Sequence, residues 1–151
     1  MLTLERVGKT YPNGVRALDG VSLEVEPGEI VAVVGGSGCG KSTLLRAVSG
    51  LDSPTQGAVK LDGSAIVEPH EKIGMIFQEP RLLPWLSVAG NVGFGLADRP
   101  KEERDQRVGR ALDKVGLSDK ATVWPRELSG GQAQRVAIAR AGDAARGAAA
   151  R

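Results

Sequence analysis

The stretch "GEIVAVVGGSGCGKSTLLRAV" (residues 28–48) constrains this chain more than any other. An aliphatic run bounded by glycines leads into a glycine-rich turn, and the turn leads into residues with helical spacing at Leu44, Leu45 and Val48. A continuous apolar run of this length predicts a strand buried on both faces, hence a parallel one. The turn "GGSGCGKS" (35–42) matches the pattern G-x-x-x-x-G-K-[ST]. Its strand-to-helix setting is the context in which that pattern binds phosphate. Glycine permits positive φ and lets backbone N–H groups turn inward as a nest for an anion. A helix N-terminus adds partial positive charge. Lys41 brings a full charge, on the order of 4 kcal/mol at 4 Å and an effective dielectric near 20. Ser42 offers a hydroxyl to a Mg²⁺ ion shared with the phosphates. Residue frequencies alone would produce such a match in roughly one or two per cent of chains of this size. Cys39 reads as a small filler within the loop, its backbone doing the binding.

The rest of the chain divides into recognisable pieces. "LTLERV" (2–7) and "VSLEVE" (21–26) alternate apolar and polar residues and predict half-buried strands, with turn chemistry at "YPNG" (11–14) between them. "GAVKLDG" (57–63) predicts a short strand and turn, and "KIGMIF" (72–77) another apolar strand. "STLLRAVSGL" (42–51) predicts a helix stopping near Gly50. "KEERDQRVGRALDKVG" (101–116) places Val108, Ala111, Leu112 and Val115 on one helical face and closes at Gly116. A last helix is predicted from about Gly131 to Ala141. No internal repeat is visible.

Composition excludes several classes. The net charge is +2, with basic and acidic residues interleaved, so nothing argues for nucleic-acid binding. The single cysteine excludes an internal disulfide framework and fits a reducing compartment. The opening "MLTLERVGKTYPNG" is not a secretory signal. No apolar run approaches the ~18 residues that span a bilayer.

Three further stretches narrow the reading. "LSGGQ" (128–132) with "QRVAIARA" (134–141) resembles the signature motif of ABC-transporter ATP-binding domains. "GMIFQEPRLLPWLSVAGNVGFGL" (74–96) resembles that family's Q-loop and its continuation, and "YPNGVRALDGVSLEVEPGEIVAVVG" (11–35) its N-terminal strands and aromatic loop. "GGSGCGKST" together with "FQEPRLLPW" is most similar to importers of nitrate, sulfonate, taurine and related solutes. The likeness runs from the start to about Ala141. It implies an α/β fold: a P-loop NTPase core, an N-terminal antiparallel β subdomain, and a helical signature subdomain at about 80–130. Residues 142–151 form an Ala/Gly/Arg tail outside the family pattern.

The resemblance also implies roles. Tyr11 stacks on adenine, worth ~1–3 kcal/mol for a base on an aromatic face. Gly35, Gly36, Ser37, Gly38, Cys39, Gly40, Lys41, Ser42 and Thr43 cradle the phosphates of ATP. Ser42 and Gln78 contact Mg²⁺, and Gln78 also the attacking water. Arg81–Val92 helps form the groove for a coupling helix of a transmembrane permease subunit, with Trp85 either at that interface or buried. Leu128, Ser129, Gly130, Gly131 and Gln132 grip the γ-phosphate of ATP held by a second ATP-binding subunit in a head-to-tail dimer. The location implied is cytoplasmic, peripheral on the inner face of the plasma membrane.

After "ARA" the family continues with an aliphatic strand ending in Asp-Glu and, later, a histidine. The tail "GDAARGAAAR" has neither. Glu79, in "FQEP", precedes the signature and belongs to the Q-loop, so it is not the catalytic acid. His70, the sole histidine, also precedes the signature and reads as a surface residue. The fold is thus expected to be incomplete at the C-terminus, through a frameshift or early stop. Hydrolysis by these residues is expected to be weak, because a general base is commonly worth ~10²–10⁴-fold. An apolar gap is expected where neighbouring strands should lie. A catalytically dead nucleotide-binding or interaction fragment is the alternative. A DNA-repair or chromosome-organising ATPase is disfavoured by the short span from Gln78 to Leu128.

Overall fold

The computed structural model describes residues 1–148, with side chains through Gly142. Residues 149–151, the end of the Ala/Gly/Arg tail, lie outside the described residues. The chain forms two compact units, Met1–His70 and Glu71–Arg151.

The first unit is built on an antiparallel sheet of four strands in the order β2-β1-β3-β4. They are β1 (Leu2–Thr10), β2 (Arg16–Val25), β3 (Gln56–Leu61) and β4 (Ser64–Ala65). The turn at Tyr11–Gly14 closes as its composition predicts: Gly14 N–H donates to the Tyr11 carbonyl at 2.9 Å and Tyr11 N–H to Val15 at 2.9 Å. β1 departs from simple alternation. Leu4 and Val7, three residues apart, are both buried, although a regular strand would point them to opposite faces. An irregularity in the β1–β2 register falls between them, and Arg6 sits there at φ 44°. The extra residue resets the phase, so both apolar side chains enter the core. The displaced Arg6 N–H is satisfied by the Ser22 hydroxyl at 3.0 Å. Helix α1 (Lys41–Val48) completes the unit, burying Leu44 and Ala47.

The second unit is helical. It holds α2 (Val88–Val92), α3 (Lys101–Lys114) and α4 (Gly130–Ala148), with 3-10 turns at Phe94–Leu96, Ser118–Lys120 and Pro125–Glu127. Val88, Val92, Val108, Ala111, Leu112, Leu117, Val136 and Ala139 form its core. α3 follows its predicted face and ends as Gly116 suggested. Gly116, at φ 67°, donates to the Asp113 carbonyl, and Leu117 N–H reaches back to Leu112 at 3.0 Å. That pattern caps the last carbonyls of a helix.

Three expectations are corrected. Residues 29–34 do not form a strand; Ile30 and Val34 are 95% and 90% exposed. Residues 72–77 also lack strand structure. A strand exists only through its ladder, and neither run joins the four-stranded sheet, so apolar content alone could not make them strands. Finally, α4 runs past Ala141 to Ala148. Ala and Arg are strong helix formers, and nothing in "GDAARGA" stops a helix already nucleated at Gly130.

α2 was not predicted, being only five residues long. Ser87 caps it by accepting from Gly90 N–H, and the carbonyls of Val123 and Ala121 accept from Val88 and Ala89. Its Asn91 is 0% exposed. The Asn91 carboxamide accepts from Leu83 N–H at 2.7 Å and donates to the carbonyls of Leu83 and Leu86 at 3.0 Å and of Ser87 at 3.1 Å. One side chain thereby fixes the loop at 83–87. Asn91→Ala orphans Leu83 N–H and the Leu86 carbonyl, and is expected to cost about 3 kcal/mol. Urea denaturation of this variant beside the parent checks that figure, and a loss under about 1 kcal/mol would show the clamp to be dispensable.

Candidate nucleotide site

In the first unit the glycine loop ends at Gly40, the residue preceding α1. Gly40 has φ 97°, and a Cβ there would lie 2.3 Å from the Ala17 carbonyl oxygen. Backbone conformation and close approach both demand glycine. No side chain caps α1, and the first described ladder bond at its start runs from Leu44 N–H to the Gly40 carbonyl at 2.9 Å. The opening turn thus presents amide donors without a protein cap. Lys41 folds back over the loop. Its ammonium donates to the carbonyls of Gly35 at 2.8 Å and Gly36 at 2.6 Å, and lies 3.5 Å from the Cys39 sulfur. Ser42 is exposed in the same first turn.

Tyr11 is held beside this helix. Its hydroxyl lies 3.3 Å from Thr43 Oγ1 and 3.5 Å from Asp52 Oδ2, and Lys9 Nζ stands 5.4 Å from the ring centroid. Lys9 in turn pairs with Asp52 and donates to the Ser53 carbonyl at 2.7 Å. The structure therefore gathers Tyr11, Gly35–Gly40, Lys41, Ser42 and Thr43 around one helix start. The pairing of Tyr11 with Thr43 could not be read from sequence, because it joins residues 32 apart.

In the second unit the signature residues make a reciprocal cap. Gln132 N–H donates to Ser129 Oγ at 3.3 Å, and Ser129 N–H donates to Gln132 Oε1 at 2.9 Å. This is the capping box, with Gln at the third helical position. A Cβ at Gly130 or Gly131 would meet nothing within 4 Å. Nothing in the described fold requires those glycines, so they keep the backbone bare toward whatever approaches. Leu128 packs against the helical core.

Gln78 is exposed at a bend, as is Glu79. Two residues of α4 tie the surrounding backbone in place. Gln134 Nε2 donates to the Phe77 carbonyl at 3.2 Å, and the Arg140 guanidinium donates to Pro80 at 3.0 Å and Arg81 at 3.1 Å. Burial lowers the Arg140 pKa, yet a guanidinium stays charged at neutral pH. Sequence reasoning saw "QRVAIAR" only as motif continuation and missed that its polar residues position the Gln78 bend. Trp85 is 68% exposed rather than buried, on the loop that Asn91 clamps. His70 is half-buried at the end of the first unit. Among the described residues no cluster of three His, Cys, Asp or Glu could hold a metal ion by itself.

The family model for ABC transporters matches residues 18–144. This chain belongs to the ABC transporter ATP-binding family. It is 59% identical over 123 residues to an aliphatic sulfonates import ATP-binding protein, SsuB 2, of Burkholderia cenocepacia, covering 82% of this chain and 45% of that protein. It is 48% identical over 143 residues to the taurine import ATP-binding protein TauB of Chromobacterium violaceum, covering 93% and 55%. These relatives agree with the importer subfamily. The chain spans about half the length of the curated relatives it matches. The fold superposes on the ATP-binding cassette MJ0796 in a dimeric post-hydrolysis state bound to ADP and Pi, with TM-score 0.85, 38% identity, and coverage of 93% of this chain and 68% of that one. No helix of the described residues is long and apolar enough to cross a membrane.

Two substitutions separate the two kinds of glycine. Gly40→Ala is expected to destabilise the first unit by about 1–3 kcal/mol, through positive φ and the Ala17 contact. Gly131→Ala is expected to hold or raise stability by up to about 1 kcal/mol, being an open helical position. Thermal unfolding of both variants checks the contrast; equal losses would refute it.

Proposed function

We propose that this chain is the nucleotide-binding part of the ATP-binding subunit of an ABC importer for small organic anions such as sulfonates or taurine. The observation that carries this reading is the uncapped start of α1 with Lys41 drawn over its glycine loop. Residues 1–141 form the partial nucleotide-binding domain, and 142–151 the tail outside it. Gly35–Thr43 receive the phosphates of ATP. Lys41 exchanges its two loop carbonyls for phosphate oxygens, a stronger, charge-assisted pairing. Tyr11, fixed through Thr43, supplies the aromatic face for adenine.

The donor set suits Mg²⁺ bound largely by phosphate oxygens, since that ion takes few protein ligands. Ser42 would hold it from the protein side of the first unit, and when bound it would offset negative charge on the phosphates. Ser129, Gly130 and Gly131 present their turn to ATP carried by a second ATP-binding subunit, head to tail. That role is supported by the glycines' open surroundings and by the dimeric state named for the MJ0796 structure. The Trp85 loop, rigid through Asn91 and exposed, is the docking element for a transmembrane permease subunit. Such a subunit works in the cytoplasm, peripheral on the plasma membrane.

Residues 1–151 are proposed to bind Mg-ATP. Titration calorimetry on the monodisperse protein is expected to show saturable Mg-ATP binding, weakened at least about tenfold by Lys41→Ala. Binding indifferent to that change removes the nucleotide assignment.

A further inference from the structure

A cleft of about 390 Å³ opens between α3 and α4 of the second unit. Its floor is apolar, formed by Ala111, Val115, Ile138 and Ala139, and its rim carries Arg107, Arg110 and Lys114. The three cations follow the spacing i, i+3, i+7, which aligns them along one face of α3. Arg107 is engaged by Glu103 at 2.9 Å. Arg110 and Lys114 are exposed and form no ion pair among the described residues. Among the described lining residues there is no Asp or Glu. At its far end stands Gly142, which has no side chain to close the opening. Ile138 lies eight residues along α4 from Gly130, about 12 Å at 1.5 Å per residue, so the cleft is distinct from the signature turn.

We propose that this cleft binds a small organic anion with a short aliphatic tail, a sulfonate or a carboxylate. The volume falls within the range of ligand pockets, ~300–1,000 Å³, and at its small end. It admits a headgroup and a chain of a few carbons. Arg110 and Lys114 pair with the headgroup, and Ile138, half-exposed at 42%, is covered by the tail. A nucleotide suits it poorly, because its described lining residues come from the later turns of α3 and α4 and include no helix start. A membrane surface suits it poorly as well, because a concave site cannot press on a flat one.

The test is titration of the full chain with sodium 1-hexanesulfonate and sodium hexanoate, followed by calorimetry and by amide shifts of α3 and α4. Saturable one-site binding of either is expected, and the preferred headgroup identifies the source. Each buried methylene contributes about fourfold in affinity, so 1-butanesulfonate, two methylenes shorter, is expected to bind about fifteenfold more weakly than 1-hexanesulfonate. Arg110→Glu with Lys114→Glu is expected to weaken binding at least about tenfold. Both positions are exposed, and circular dichroism verifies that the helices persist. Ile138→Ala is expected to reduce the dependence on chain length. Absence of saturable binding overturns the proposal. So does inorganic sulfate binding as tightly as hexanesulfonate, or a double variant that binds like the parent. Attachment to phosphatidylglycerol vesicles without binding of the monomeric amphiphiles also overturns it, in favour of a lipid surface.

Discussion

A phosphate cradle must keep backbone donors unpaired, and proteins ordinarily fold so as to pair them. Around residues 35–43 the chain meets that conflict with sterics. Gly40 in a left-handed conformation, against the Ala17 carbonyl, starts α1 with no side chain able to cap it. A serine or aspartate at this position would suit a helix start by cap propensity, but would fill the close approach and satisfy a donor. The bulge in β1, the buried Leu44 and Ala47 and the Tyr11–Thr43 contact then serve one end: they hold that helix start against the sheet.

The start of α4 treats the same problem differently. Ser129 and Gln132 cap each other, so that turn is stable by itself. What stays bare is the surface over Gly130 and Gly131, where an added Cβ would meet no atom of the described fold within 4 Å. Gly40, by its φ and its close approach, and Gly38, by its φ of 78°, are thus required by structure, and the glycines of the signature are not. A stretch whose residue choice the fold leaves unexplained points to a demand from outside it.

Much of this was legible in the sequence, and the rest was hidden for definite reasons. β1, β2 and α3 declared themselves by period, β3 as a short strand before a turn, and Gly116 by its place after the last apolar position. The glycine loop was legible because its chemistry lies within eight consecutive residues. The runs at 29–34 and 72–77 misled because apolar content is local while strand pairing is not. Asn91 was missed although a signal existed: it is the one polar residue on the face shared by Val88 and Val92. Arg140 gave no such signal, since its partners lie about sixty residues earlier.

Lys41 and Arg140 show why the same chemistry has two uses. Each donates to two backbone carbonyls rather than to a carboxylate. At Arg140 burial and the planar fork make the arrangement a fixed brace for residues 80 and 81. At Lys41 the ammonium is solvent-facing and its partners are neutral. A net hydrogen bond to a neutral group is worth ~0.5–1.5 kcal/mol, against ~1.5–3 for one to a charged group. An acidic partner in the loop would hold Lys41 about as firmly as a phosphate could, and ligand binding would lose most of that gain. The stretch from Gly35 to Thr43 contains no acid at all. The lysine is therefore kept in place by bonds just weak enough for an anion to displace.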